Sequence, residues 1–127
     1  MDKYALVTGG GCFVGSALSS RLISEGYHVT IIDDLSNGKQ ENIPAEAEFH
    51  KLDISDSNGF NSIPQYPYEI VLHVAAQASN AISWQDPTRD LMVNQLGTYN
   101  VLEFCVKRNI TRIIFTSSMS TYGLPEI

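Results

Sequence analysis

Apolar residues along this chain fall into two alternating patterns. Short, dense runs rich in aliphatic and β-branched residues predict strands. Longer stretches with apolar residues three and four apart predict helices. The first run, Ala5-Leu6-Val7, predicts a strand at Lys3–Thr8. Phe13, Ala17, Leu18 and Leu22 then share helical spacing, which predicts a helix over 13–25 stopped by Gly26. Val29-Thr30-Ile31-Ile32 predicts a second strand over 28–33, followed by the polar loop Asp33-Asp34-Leu35-Ser36-Asn37-Gly38. A short third strand is expected over 46–52, and Asp56 is placed to cap a brief helix reaching about residue 63. Residues 70–74 are almost wholly apolar, as expected of a strand covered on both faces. A small-residue loop, 75–79, follows. Asp86-Pro87 is a strong helix start, an N-cap residue before proline at the first position. That helix is expected to run to about residue 108 and to bury Leu91, Leu96, Tyr99, Leu102 and Val106. Residues 112–116 form the fifth expected strand.

The order is βαβ(α)β and then βαβ. Right-handed crossovers turn this into an α/β fold, a Rossmann-type doubly wound parallel sheet of order 3-2-1-4-5, ending after strand five. A ligand is expected beyond the C-terminal strand ends, in the crevice between strands one and four.

Between the first strand and first helix lies Thr8-Gly9-Gly10-Gly11-Cys12-Phe13-Val14-Gly15. A strand, a glycine turn and a helix in immediate succession aim backbone N–H groups and the positive helix end at one point. That suits a phosphate, and with an acid after strand two it suits a dinucleotide. The alternative is a tight turn with no ligand. The acid is Asp33, 18 residues past Gly15. A carboxylate there accepts both ribose hydroxyls of an adenosine and repels a 2′-phosphate, favouring NAD over NADP. Asp34 is the neighbouring candidate, and a solvated loop acid is the plain alternative. Asp53, after strand three, is placed to accept the adenine amino group with help from the Ile54 backbone; a turn aspartate is the other reading. Asn94 and Gly97 sit inside the long helix, where glycine costs about 1 kcal/mol relative to alanine. Something packing closely there, or plain helix packing, accounts for them. His73, ending strand four, reads as a packed, hydrogen-bonded histidine rather than a catalyst.

Composition narrows the classes. The 127 residues suffice for one domain with a core. A net charge of −6 without a basic run disfavours nucleic acid and anionic membranes as partners. No apolar stretch is long enough to span a bilayer, and the N-terminus carries no secretory signal. Two distant cysteines, Cys12 and Cys105, make no disulfide framework, so a reducing cytoplasm is expected. The three histidines and two cysteines show no metal-ligand spacing, and there is no Gly-x-Ser-x-Gly elbow.

Taken in order, Thr8-Gly9-Gly10 through Phe13-Val14-Gly15, Asp33 to Gly38, Leu52-Asp53-Ile54, His73 to Gln77, Asp86-Pro87, Val93-Asn94 with Gly97-Thr98, and Phe115 to Ser118 with Tyr122-Gly123 form one pattern. It resembles the extended short-chain dehydrogenase/reductase superfamily, within it the NAD-dependent nucleotide-sugar epimerase/dehydratase family, with UDP-glucose 4-epimerases looking nearest. The resemblance implies NAD as cofactor and a nucleotide sugar as substrate of the full-length enzyme. It implies that Phe13 and Val14 offer amides to the pyrophosphate, and that Asp33, Asp34, Leu35, Asn37 and Gly38 surround the adenosine ribose. Asp53 and Ile54 flank adenine. Val74, Ala75, Ala76, Gln77 and Ala78 line the cofactor's path, with Asn94 near it. Ser118 matches the active-site Ser/Thr that hydrogen-bonds the sugar hydroxyl being oxidised.

Two departures stand out. Cys12 falls on the family's middle glycine, where a Cβ crowds the pyrophosphate, so weakened NAD binding is expected. The family's tyrosine base belongs to a Tyr-x-x-x-Lys pair, and none of the six tyrosines here has lysine four residues on. The chain is therefore expected to be the N-terminal, cofactor-binding part of an enzyme, residues 1–127 forming a partial domain that is inert alone. Two other readings stand beside it: a non-enzymatic NAD-binding module, and a half that pairs through its open sheet edge, for instance as a homodimer.

Overall fold

The computed structural model describes residues 1–125. Glu126 and Ile127 lie outside the described residues, and with them the last residue of the Tyr122-to-Glu126 spacing and the end of the expected 1–127 domain. Five strands form one parallel sheet in the order β3-β2-β1-β4-β5: β1 Lys3–Thr8, β2 Tyr27–Asp33, β3 Glu48–Lys51, β4 Tyr68–His73 and β5 Ile113–Phe115. This is the Rossmann-type order expected from the alternation of strands and helices. β1 is central, with Thr8 in register with Ile32 on one side and His73 on the other.

Both faces are covered at β1, β2 and β4, which is why these strands read as nearly continuous apolar runs, whereas β5 is exposed. Alternation sends Ala5 and Val7 one way and Leu6 the other. Ala5, Val7, Val29, Ile31, Ile70 and Leu72 pack with Leu18, Leu22 and Ile23 of helix α1 (Phe13–Ser24). Leu6, Ile32, Leu52, Ile54 and Val71 pack on the opposite face with Val93, Val101, Phe104 and Cys105. Phe13 and Ala17 do not belong to the buried face of α1. It turns Gly15 and Ser19 to the sheet, because Gly15 lets the helix backbone rest on the loop below.

The segment after β4 differs more from expectation. A short helix, α2 (Asn80–Gln85), occupies what reads as loop, capped by the Ser79 hydroxyl. The Asp86 carboxylate then caps α3 (Pro87–Leu91), as the Asp-Pro pair predicts. A π-helical turn, Met92–Gly97, continues it into α4 (Thr98–Lys107). The buried face of this continuous helix is Val93, Gly97, Asn100, Val101, Phe104 and Cys105. Leu91, Leu96, Tyr99, Leu102 and Val106, the residues expected to be buried, are exposed. Size misleads here: the face is set by Gly97, where a Cβ would stand 2.6 Å from Ile54 Cδ1, and by Asn100, whose Nδ2 donates to the Ile54 carbonyl at 2.9 Å. Between β3 and β4, Asp56 caps a 3₁₀ turn at Ser57–Ser62 by accepting from the Asn58 amide.

A Cβ on Gly15 would run into the backbone of Gly9 and Gly10, which no side-chain rotation relieves. Gly15→Ala is therefore expected to destabilise by about 3 kcal/mol, the upper end for overpacking. A urea melt would show this as a lower midpoint with an unchanged slope.

Candidate functional site

β1 and β4 lie side by side up to Thr8 and His73 and then diverge. A crevice of about 480 Å³ opens there, lined among others by Gly9, Cys12, Asp33, Asp34, Asn37, Gly38, Asp53, Ile54, Ala75, Ala76 and Gln77. Of the residues singled out in the sequence, these eleven and Ala78 are brought together at the crevice. Phe13, Val14, Gly15, Leu35, Val74 and Asn94 stand behind or beside the lining. Ser118 lies past β5, exposed, where its hydroxyl accepts from the Ser120 amide at 3.1 Å.

The divergence is pinned by one short chain of hydrogen bonds. Thr8 Oγ1 accepts from the amides of Val74 (3.1 Å) and Ala75 (3.0 Å). With both lone pairs engaged, its hydroxyl proton goes to His73 Nδ1 at 2.7 Å. The tautomer follows: Nε2 carries the ring proton and donates to Thr98 Oγ1 at 2.9 Å. His73 is 1% exposed, and burial pushes its pKa down to about 4. It is a neutral strut rather than a titrating catalyst.

The glycine loop is shaped by backbone contact. Gly9 adopts φ 74°, and a Cβ there would stand 2.8 Å from the Ala75 nitrogen. Its own amide donates to the Ile32 carbonyl at 2.8 Å. The loop leads into α1, whose first-turn amides, Phe13 and Val14 among them, have no carbonyl one turn back to bond. Cys12 is the N-cap at φ −93° and makes no side-chain cap. Any residue adopts that backbone, so glycine matters at this position only for what a side chain would fill. Burial first, and then the charges of Asp33 and Asp34, raise the Cys12 thiol pKa.

Asp33 has a structural duty that its position did not reveal. Its Oδ2 accepts from the Gly11 amide and its Oδ1 from the Leu35 amide, both at 2.8 Å. The carboxylate thus ties the glycine loop to the loop after β2. It also holds Leu35 at φ 61°, a left-handed conformation costing about 1 kcal/mol or more for a non-glycine residue. The Gly11 carbonyl, in turn, accepts from the Lys39 amide and Asn42 Nδ2.

Asn94 works as a splint. Its Oδ1 accepts from the Gln77 amide at 2.8 Å and its Nδ2 donates to the Gln77 carbonyl at 2.9 Å. A chain segment that has left the sheet is thereby paired as if it were still in one. The π turn supplies the extra residue that brings Asn94 to this loop while Gly97 faces Ile54.

Arg89 was not legible from the sequence. It reaches across the crevice to donate to Asp34 Oδ2 at 2.7 Å and Asp53 Oδ2 at 2.8 Å. Its partners lie 55 and 36 residues away, so no local spacing announces it. Burial tends to raise the pKa of Asp53, but hydrogen bonds from Arg89 and Ser55 and the guanidinium charge outweigh it and hold the carboxyl below its usual range. Among the described residues, no group of three or more His, Cys, Asp or Glu is placed to hold a metal ion. No helix among them is long and apolar enough to cross a membrane.

Comparison with known proteins agrees with this geometry. A model described as the NAD dependent epimerase/dehydratase family matches residues 5–127. A putative UDP-glucose 4-epimerase of Methanocaldococcus jannaschii is 41% identical over 122 residues, covering 95% of this chain and 40% of that protein. The crystal structure of Thermus thermophilus UDP-glucose 4-epimerase in complex with NAD is similar at TM-score 0.85 and 37% identity, over 91% of this chain and 37% of the other. Thermotoga maritima UDP-glucose 4-epimerase, solved with UDP-glucose, gives TM-score 0.87 and 40% identity over 91% of this chain and 38% of that one. The chain spans about 40% of the length of the curated relatives it matches.

The buried imidazole makes stability depend on pH. The native state resists protonation of His73 down to about pH 4, whereas an unfolded histidine takes up its proton near 6.5. The unfolded chain therefore binds more protons between these values. This contribution is intact above pH 6.5 and falls away toward pH 4, by about 1.4 kcal/mol per unit and about 3 kcal/mol in all. Urea midpoints at pH 7, 6 and 5 are expected to fall more steeply for the natural chain than for His73→Gln, which starts less stable. Parallel slopes would show that His73 does not titrate this way.

Proposed function

Since the chain belongs to the NAD dependent epimerase/dehydratase family, we propose that it is the NAD-binding portion of an enzyme that reversibly oxidises a UDP- or dTDP-linked sugar. Residues 1–127 act in this reading as one partial cofactor-binding domain. The supporting observation is the crevice at the diverging ends of β1 and β4, where glycine-loop amides face the loop built around Asp33.

The residues fit the cofactor. Gly9 and Gly15 leave no Cβ where backbone passes close to backbone, so the loop stays low enough for a diphosphate to approach. Phe13 and Val14 amides are the proposed pyrophosphate donors. Asp33 keeps lone pairs beyond the two amides it accepts, and these are the proposed acceptors for the ribose hydroxyls. Asp34, Leu35, Asn37 and Gly38 close that side, Asp53 and Ile54 flank the adenine, and Val74 to Ala78 border the path toward nicotinamide. When bound, NAD supplies the hydride acceptor. Ser118 is the proposed partner of the sugar hydroxyl. The phenolate that would take the hydroxyl proton has no candidate here, because no tyrosine is followed four residues later by lysine. The chain alone is therefore expected to be inert, and the choice between epimerisation and dehydration belongs to parts of the relatives that this chain does not cover.

A second reading rests on β5. Ile113, Ile114 and Phe115 are all exposed, and among the described residues β5 is hydrogen-bonded only to β4. An open apolar edge of this kind invites a further strand or a second copy. Sedimentation over a range of concentrations is expected to show self-association; a strictly monomeric chain removes this reading.

Cys12 gives the sharpest test of the first. Its side chain stands in the crevice where family members have glycine. Cys12→Gly is expected to tighten NAD binding about tenfold in calorimetry, and Cys12→Ser to change it little. Equal affinity in all three would remove the crowding argument, and no heat in any of them would remove the cofactor. Assays with UDP- and dTDP-sugars are expected to give no product, and any turnover would overturn the expected inertness.

A further inference from the structure

The family resemblance gives Arg89 no task, yet it is the cation set between the acids of the crevice. Two carboxylates from separate loops share its guanidinium. Asp34, at the end of β2, takes Nη2, and Asp53, beyond β3, takes Nη1. Each acid is itself fixed from behind. Asp34 Oδ1 accepts from the Ser36 amide and hydroxyl, and Asp53 Oδ1 from the Ser55 amide and hydroxyl. Guanidinium donors lie in the plane of the group. Two in-plane bonds to immobilised partners therefore fix the orientation of the plane as well as its position. Two of its five donors are engaged by the acids, and the flat face stays open to a ligand.

The surroundings suit a flat, largely apolar ligand. Ile32, Leu52, Ile54 and Val93 line the same crevice as Arg89 and are buried. A slot with aliphatic walls, a delocalised cation and a carboxylate rim matches a purine carrying an exocyclic amino group. A guanidinium face stacks on such a ring with electrostatic and dispersive gain.

We propose that Arg89 is the platform on which the adenine of NAD stacks, its plane set by Asp34 and Asp53. This rests on the NAD-binding reading above and adds to it a residue that determines affinity for the adenosine half. Asp53 then has two duties, aligning Arg89 through Oδ2 and bordering the amino edge of the base. Asp34 acts through Arg89 as a positioning residue. The cation also offsets one of the three carboxylates in the crevice.

AMP separates this proposal from the rest of the crevice, because it lacks the diphosphate that Cys12 crowds. The experiment titrates AMP into the natural chain, Arg89→Lys and Arg89→Leu by calorimetry, and records the melting temperature of each without ligand. Lysine keeps the charge between the two acids but has no flat face. The expected result is about tenfold weaker AMP binding by Arg89→Lys, with its unliganded melting temperature close to that of the natural chain. Unchanged AMP affinity in Arg89→Lys overturns the platform. Weaker AMP binding that merely follows a lower melting temperature in both variants overturns it too, and reassigns Arg89 to tying the loops. If neither the natural chain nor Cys12→Gly binds NAD, the reading of the crevice fails and the platform with it.

Discussion

The site depends on where two parallel strands stop pairing, and the Thr8 hydroxyl decides that. At the ends of β1 and β4 the hydroxyl accepts two amides of the departing chain, Val74 and Ala75, and passes its own proton to His73. The Val74 amide still reaches the Thr8 carbonyl at 3.3 Å, and the hydroxyl takes over at Ala75, so the crevice opens without leaving these amides unpaired. His73 carries the tie onward to Thr98 and so fixes the long helix relative to the sheet. Everything downstream is positioned from this point: the small-residue loop after β4, Asn94 that splints it at Gln77, and Gly97 that lets the helix lie against Ile54.

Asp33 organises the other side. A carboxylate that only greeted a ribose would be free to rotate in the unliganded protein. Here two backbone amides hold it, one from each flanking loop, and the strain at Leu35 is supported by one of those bonds. The acid is therefore oriented before any ligand arrives, and little ordering remains to oppose binding. The same arrangement makes Asp33 costly to replace for reasons of folding alone. Loss of ligand affinity on its substitution would not by itself identify it as a ligand contact.

Much of this was legible in the sequence, and the exceptions have physical causes. Strand order followed from the alternation of apolar runs and helical spacing. The places of the glycine loop and Asp33 at the crevice were readable because they depend on local spacing between a strand end and a helix start. Large apolar residues are a poor marker of the buried face of the long helix. That face is instead set by close approach, at Gly97 and Asn100, while Leu91, Tyr99 and Val106 point outward. Helix α2 was hidden by its length, six residues held by a serine cap. Arg89 was hidden by distance, since a guanidinium acquires its meaning from partners on two other loops. Local chemistry is written in spacing, whereas a bridging charge is written only in the fold.

The balance of charge in the crevice carries the argument one step further. Asp33, Asp34 and Asp53 all border the space proposed for a dianionic diphosphate and its adenosine. Asp34 and Asp53 are engaged by Arg89, and Asp33 by two amides, so much of their field is spent on fixed dipoles and one cation rather than on the ligand. Cys12 belongs to the same balance. Burial and the nearby acids raise its thiol pKa, so at neutral pH the side chain adds no negative charge beside the glycine-loop amides. Its effect on a diphosphate is then a matter of volume. The positive end of α1 keeps its attraction for an anion and only the approach distance suffers. On the proposed reading of the crevice, a single methylene and sulfur in place of a hydrogen would tune cofactor affinity while leaving the backbone that creates the site as it was.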